Sequence, residues 1–423
     1  MSDEKIIQKT YEVARERYSA FGVDAESALK TLVGVPLSLH CWQGDDVGGF
    51  EKPAATLSGG GIQVTGNYPG KARSIDELRK DLEQAYHLIP GHHRLNLHAI
   101  YGEFGGKLVD RDQITPDHFR GWIDWVKQHQ LKLDFNATYF SHPKADSGFT
   151  LSHPDRAIRE FWVEHGKRCR EISAAMGKAQ GDPCVHNIWI PDGSKDIPVD
   201  RWSPREFLRQ SLDEIYRTPY PMSEMRDAVE SKLFGIGSEA YVVGSHEFYL
   251  GYALSRKKMV CLDMGHFHPT ELVADKISAL LLFFDEILLH VSRGVRWDSD
   301  HVVILNEDVR NLAEEIVRSK ALHRVRIALD YFDASLNRIG AWVLGARATQ
   351  KALLAALLEP QAKLREAEAA GDYFARLALL EETRLLPLGA VWDYFCLSNG
   401  VPSGEEWIAE IHRYERETLS KRA

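Results

Sequence analysis

Eight short apolar or β-branched runs, separated by longer charged segments with helical periodicity, constrain this chain more than any other feature. The runs occupy residues 35–41, 95–100, 131–136, 184–190, 227–234, 258–263, 286–292 and 325–330. Strands this continuously apolar are buried on both faces, which favours parallel pairing with helices laid over the sheet. Eight such alternations close most economically as an α/β (β/α)8 TIM barrel. Catalytic groups in such a barrel project from the C-terminal ends of several strands, so the polar and aromatic residues at the run ends are the candidate site. They are His40, His98, Asn136, Trp189, Glu230 with Lys232, Asp263 with His266, His290 and Asp330.

The flanks of the barrel read as helices. Residues 4–22 carry Ile7, Tyr11, Ala14, Tyr18 and Phe21 at helical spacing, and Asp24 opens a second short helix reaching about Leu32. Within the barrel, Ser74 and Asp155 precede the clear helical patterns 74–87 and 155–177. The expected domain division is therefore 1–339, a barrel with an N-terminal helical preamble, and 340–423, an α-helical C-terminal extension broken at Pro360, Gly371 and Pro387. The extension's apolar positions (Leu353, Leu357, Phe374, Leu377, Leu380) bury either on its own barrel or on a neighbouring subunit.

Composition narrows the partners. A 423-residue chain with 44% hydrophobic residues can build a large core, and its net charge of −9 gives no basic footprint for nucleic acid. A small polar substrate fits better. Five scattered cysteines without a Cys-x-x-Cys pair suggest reduced thiols in the cytoplasm rather than a disulfide framework or a zinc knuckle. The start of the chain is charged and amphipathic, and no run approaches the roughly 18 apolar residues of a membrane span, so no membrane partner is expected.

Two glycine motifs are decoys. Gly235-Ile-Gly237-Ser-Glu-Ala240 matches a dinucleotide fingerprint, but the helix that would hold a pyrophosphate does not follow it. Gly66-Asn-Tyr-Pro-Gly70-Lys71-Ala72 is one residue short of a P-loop and has Ala72 where a magnesium-binding hydroxyl belongs. Cys41 adjoins His40, yet neighbouring strand residues face opposite sides, so they do not form a dyad.

The chemistry is concentrated between Glu230 and Asp330. Asp263 closes a strand with His266 three residues on, and Asp298-Ser-Asp300 places two carboxylates on one face of an extended segment. With Glu230 and Asp330 this makes five carboxylates around one point, repelling by roughly 4 kcal/mol per close pair at an effective dielectric near 20. Two divalent cations supply four positive charges against those five, and Lys232 supplies the fifth. One ion would take Asp263, His266, Asp298 and Asp300; the other Glu230, Asp263 as a bridge, His290 and Asp330. With no thiolate in this set, Mn²⁺ is the first expectation and Mg²⁺ or Co²⁺ the alternatives.

The segments His40-Cys-Trp-Gln-Gly-Asp-Asp46, Gly66-Asn-Tyr-Pro-Gly-Lys71, Val229-Glu-Ser-Lys-Leu-Phe-Gly235, Asp263-Met-Gly-His-Phe-His-Pro269, Val295-Arg-Trp-Asp-Ser-Asp-His301 and Leu329-Asp-Tyr-Phe-Asp333 closely resemble L-rhamnose isomerase, and the resemblance spans essentially the whole chain. The order of ligands also resembles the wider xylose isomerase group, where Glu and Asp stand at the positions of Asp263 and His290. The resemblance implies an aldose–ketose isomerase taking L-rhamnose to L-rhamnulose by a metal-assisted 1,2-hydride shift, assembled as a homotetramer. It implies that Lys232 stabilises charge developing on the sugar's O1, that His98 assists ring opening, and that Trp189 walls the hydride path. The glycine-rich stretch 44–70 would form a lid or reach a neighbour's site.

Two other enzymatic readings compete. A metal-dependent barrel phosphodiesterase would want a basic groove and more histidine ligands than His266 and His290. An isomerase of another aldose, working by enediol proton transfer, would leave solvent deuterium at C1 of the product, whereas hydride shift leaves almost none. A purely sugar- or metal-binding protein would leave Lys232 without a task.

Overall fold

The structure, a computed structural model, describes residues 3–51, 64–232, 240–296 and 298–422, and for residues 3 and 298–300 the backbone only. Eight parallel strands close into a barrel in chain order: β1 (Ser38–His40), β2 (Arg94–His98), β3 (Lys132–Asn136), β4 (Cys184–Ile188), β5 (Met225–Glu230), β6 (Met259–Asp263), β7 (Ile287–Val291) and β8 (Val325–Leu329). Every expected run overlaps one of these strands, though β2 begins one residue and β5 two residues ahead of its run, and β1 pairs with β8 to complete the ring. The (β/α)8 expectation is thus met.

Alternation along the strands decides what fills the barrel. Val185, Ala228, Met259, Cys261, Leu288 and Ala328 form a buried cluster of their own, an apolar floor contributed by β4 to β8. On the β1–β3 side the interior is polar. Arg94 donates to both oxygens of Asp134, each at 2.8 Å, and Asp134 also accepts from Ser38 Oγ at 2.7 Å and Val185 N at 2.9 Å. Buried charge is tolerable there because partners surround the carboxylate. The next inward layer toward the C-terminal ends carries Glu230, Asp263 and His290, with Asp263 in register with His290 and Glu230 with Cys261.

The helices begin where the sequence places caps. The Asp24 carboxylate accepts from Glu26 N and Ser27 N to start α2 (Ala25–Val33), after α1 (Asp3–Ala20). Ser74 caps α3 (Ile75–His87), α4 covers Arg120–Gln128, and Asp155 caps α5 (Arg156–Gln180), which ends at Gly181 in the left-handed region at φ 65°. Then follow α6 (Trp202–Ile215), α7 (His246–Arg256), α8 (Ala274–Leu281) and α9 (Glu307–Arg318). Next, α10 (Arg338–Leu357) packs on α9, α3 and α2, so it closes the outer ring of helices. Beyond it lie α11 (Gln361–Ala369), α12 (Tyr373–Arg384), α13 (Leu388–Ser398) and α14 (Glu406–Glu417). The two chain ends pack together, with Tyr11 of α1 stacked on Tyr394 of α13 at 3.8 Å between ring centroids.

The two glycine decoys have different outcomes. Residues 235–239 of the fingerprint-like motif lie outside the described residues. Gly66 serves a close approach rather than a phosphate: its φ is 119°, a Cβ there would meet the Ala334 carbonyl oxygen at 2.4 Å, and Tyr68 N donates to that same oxygen at 2.7 Å.

Candidate metal and sugar site at the barrel mouth

Four candidate ligands converge. Glu230 ends β5, Asp263 ends β6, His290 lies in β7 and Asp330 follows β8, and one donor atom from each lies within 4.8 Å of the others. His290 Nδ1 sits 3.1 Å from Asp330 Oδ2, 3.3 Å from Glu230 Oε1 and 3.6 Å from Asp263 Oδ2. His266 belongs to the turn after β6, where its backbone N–H donates to Asp263 O at 3.1 Å, and its Nδ1 reaches within 3.2 Å of Glu230 Oε1.

The three carboxylates share one design. Each has one oxygen tied by neutral donors and the other aimed at the centre. Asn187 Nδ2 donates to Glu230 Oε2 at 2.5 Å. Ser292 Oγ and Gly265 N donate to Asp263 Oδ1, each at 2.7 Å. Trp42 Nε1 donates to Asp330 Oδ1 at 3.0 Å. Neutral donors orient a carboxylate without cancelling its charge, which is what an outer ring around metal ligands must do.

Within the centre, partners are lacking. Glu230 Oε1, His266 Nδ1 and both ring nitrogens of His290 are buried and make no hydrogen bond of good geometry among the described residues. Burial alone would push both imidazoles toward neutrality. The surrounding acidic groups overcome it, Asp263 and Glu230 raising His266 to about 9, and the Cys261 thiol with the Glu230, Asp263 and Asp330 carboxylates raising His290 well above its ordinary value. Burial likewise opposes ionisation of Glu230, yet the neighbouring His290 and His266 hold its carboxyl well below the usual range. One proton on an imidazole cannot satisfy three carboxylates at 3.1–3.6 Å. A divalent cation can, and mixed carboxylate and imidazole donors suit a hard or borderline ion.

The remaining expected residues surround this centre. Lys232 is buried just beyond β5, its Nζ donating to Pro191 O at 2.8 Å and its backbone N–H to Gly244 O at 3.1 Å. Pro191 is fixed in turn by Asp192, whose buried carboxylate accepts from the backbone N–H and hydroxyl of both Thr150 and Ser152. His98 ends β2 with Nδ1 3.0 Å from Thr138 Oγ1, and its ring lies 4.7 Å from Trp42 and 5.4 Å from Phe140. Burial first, and the Arg111 charge second, lower His98 to about 3, so its imidazole is neutral. Trp189 is half-buried and packs edge-on against Phe140 at 6.1 Å, extending the row Trp42, His98, Phe140, Trp189 into one aromatic wall. Asn136, at the end of β3, faces His98 with its Nδ2 3.5 Å from Nε2. Asp298 and Asp300 fall on the strand Asp298–His301, which pairs antiparallel with Arg293–Val295, and their side chains lie outside the described residues.

Sequence reasoning that takes one residue per strand end passes over Asn187, Ser292, Trp42 and Phe140. Asn187 was legible by alternation, being two residues beyond inward-facing Val185. Trp42 and Ser292 lie just past strand ends, and only the fold shows which carboxylate each one meets.

The chain matches the L-rhamnose isomerase family over residues 5–422. It is 62% identical to an L-rhamnose isomerase of Bacteroides thetaiotaomicron, covering 100% of both chains, and 59% identical to one of Rhodopirellula baltica, covering 99% of this chain and 97% of the relative. An Escherichia coli O157:H7 L-rhamnose isomerase is 58% identical over 98% of this chain and 99% of its own. With this barrel, this mouth and relatives this similar end to end, the chain belongs to the L-rhamnose isomerase family of aldose–ketose isomerases.

Proposed function

We propose that the chain isomerises L-rhamnose to L-rhamnulose by a metal-assisted 1,2-hydride shift. Glu230, Asp263, His290 and Asp330 hold one divalent cation; Asp263, His266, Asp298 and Asp300 hold a second, Mn²⁺ before Mg²⁺ or Co²⁺. The observation that carries this is the shared design of Glu230, Asp263 and Asp330, each with one oxygen tied by a neutral donor and the other turned toward His290. Bound cations supply Lewis acidity toward neighbouring sugar oxygens.

The residues do the positioning. Lys232, anchored by the Pro191 carbonyl, presents an ammonium to O1 as negative charge grows there. Neutral His98 can accept or relay the proton exchanged during ring opening, and its tether to Thr138 sets which nitrogen faces the sugar. Trp42, Phe140 and Trp189 supply an apolar wall that excludes water from the C1–C2 bond, where water would compete for the migrating hydrogen.

Assembly as a homotetramer follows the same reading. On α12 no residue is buried, and its apolar side chains Phe374 and Leu377 are 83% and 58% exposed, a surface suited to a neighbouring subunit. Among the described residues no helix is long and apolar enough to cross a membrane and the five cysteines are unbridged, which supports a cytoplasmic setting.

The deciding experiment is ketose formation from L-rhamnose in D₂O by EDTA-dialysed protein, before and after adding Mn²⁺. Turnover that appears only with Mn²⁺, giving L-rhamnulose without deuterium at C1, is expected. Deuterium at C1 would replace hydride shift by an enediol, and metal-independent turnover would overturn the two-cation assignment.

A further inference from the structure

Both anchors of Lys232 are tied to one residue, Asp192. Lys232 Nζ donates to Pro191 O at 2.8 Å and its backbone N–H to Gly244 O at 3.1 Å. Asp192 directly follows Pro191, and its own carbonyl accepts from Val243 N at 3.0 Å, one residue before Gly244. The Asp192 side chain is gripped from the other side by four neutral donors. Its Oδ2 accepts from Thr150 N at 2.8 Å, Ser152 N at 3.0 Å and Ser152 Oγ at 2.6 Å, and its Oδ1 from Thr150 Oγ1 at 2.6 Å. Asp192, Thr150 and Ser152 are completely buried. The 148–152 loop is held in turn, with Ser211 Oγ of α6 donating to Leu151 O at 2.7 Å and Gly193 N to Gly148 O at 3.1 Å. Gly193 also lies so close to Tyr241 that a Cβ would meet the Tyr241 carbonyl oxygen at 2.4 Å, which joins the 191–194 and 241–244 segments tightly.

We propose that Asp192 is a positioning residue for the isomerisation, setting the reach of the Lys232 ammonium toward O1 by fixing the two carbonyls that hold Lys232. A lysine side chain is flexible, so its ammonium is placed only as well as the groups it is anchored to. A misplacement of about 1 Å at a reacting centre costs up to about 100-fold in rate. Alanine at 192 strands the buried donors of Thr150 and Ser152 and frees the Pro191 carbonyl. Asparagine keeps an oxygen for the two backbone N–H groups, and its amide can donate to Thr150 Oγ1, whose hydroxyl turns to accept. The role of Asp192 rests on the proposed action of Lys232 at O1.

The test is a double-mutant cycle on the full-length, Mn²⁺-loaded enzyme, reading kcat and KM for L-rhamnose and the Mn²⁺ affinity of each variant. Asp192→Ala should lower kcat about 10- to 100-fold with KM and Mn²⁺ affinity within about 2-fold of native. In a Lys232→Met background the same change should cost less than about 2-fold, because the group it positions is gone. Asp192→Asn should restore most of the lost rate. If Asp192→Ala does not fold, Thr150→Val with Ser152→Ala keeps the carboxylate, removes its two hydroxyl donors and repeats the cycle, with an expected loss of about 3- to 10-fold confined to the Lys232 background. An equal loss beside Lys232 and beside Lys232→Met overturns the proposal, as does native kcat in Asp192→Ala or a loss of Mn²⁺ binding. Asp192→Asn as slow as Asp192→Ala would make the carboxylate charge the active feature and overturn the positioning role. Native kcat in Lys232→Met alone would instead overturn the reading of Lys232, and the role of Asp192 with it.

Discussion

The indole N–H of Trp42 donates to Asp330 Oδ1 at 3.0 Å, joining the loop after the first barrel strand to the residue that follows the last. The suture continues one residue on, where Gln43 Nε2 donates to Asp333 O and Asp333 N donates back to Gln43 Oε1. Asp330 is the least enclosed of the converging carboxylates, so this bond fixes which of its oxygens faces His290. Trp42→Phe keeps the ring against His98 and removes the donor. We expect Mn²⁺ affinity to fall about 10- to 100-fold, the usual cost of losing an outer partner of a ligand. Calorimetric titration checks this, and native affinity in the variant would mean that Asp330 is oriented by other means.

Lys232 offers a sharper separation of binding from chemistry. Its ammonium contacts Pro191 O at 2.8 Å, and the proposed mechanism asks it to act on O1 only as charge develops. Lys232→Met should lower kcat by about 10²–10³ while leaving KM and Mn²⁺ binding close to native values. Steady-state kinetics with L-rhamnose decides: a rise in KM with native kcat would assign Lys232 to ground-state binding instead.

The barrel was legible because its signal is repeated eight times and each strand is buried on both faces, so run ends could be read as strand ends. Glu230, Asp263, His290 and Asp330 were legible because ionisable residues at such positions are costly to bury without a counter-charge. What the sequence concealed depends on closure between distant segments. Trp42 and Asp330 are 288 residues apart, and nothing local to either one predicts that they touch. Cys261 was read only as a reduced thiol, because its nearness to Glu230 and His290 follows from strand register.

Asp45 links the β1 loop to pH. Burial raises its carboxyl to about 7, against the hydrogen bonds from Tyr101 Oη and Gly49 N, both at 2.7 Å, that favour its charged form. The fold therefore holds this proton more tightly than the unfolded chain does. Its contribution to stability is complete below the unfolded value near 4 and is lost as pH rises through about 7. Asp45→Asn cannot ionise, so native stability minus variant stability should fall by at most about 4 kcal/mol between pH 4 and pH 8. Urea unfolding at the two pH values measures the difference, and a difference that does not change would place Asp45 at an ordinary carboxylate pKa.

Arg111 supports the aromatic wall from behind. Fully buried, its guanidinium donates to Thr138 O at 2.9 Å, Phe140 O at 2.5 Å and Ser141 O at 3.1 Å, and it pairs with Glu51 at 3.0 Å. These carbonyls belong to the loop that brings Thr138 and Phe140 to His98, so one cation fixes both the tether and the packing of the ring-opening candidate. Arg111→Met leaves the Glu51 carboxylate and three carbonyls without that partner, a loss of about 3–5 kcal/mol. The same charge helps to keep His98 neutral, so its removal should also raise the His98 pKa. Chemical denaturation reads the first effect and a histidine NMR titration the second. A variant of native stability whose His98 pKa is unchanged would show that the loop holds its shape without the guanidinium.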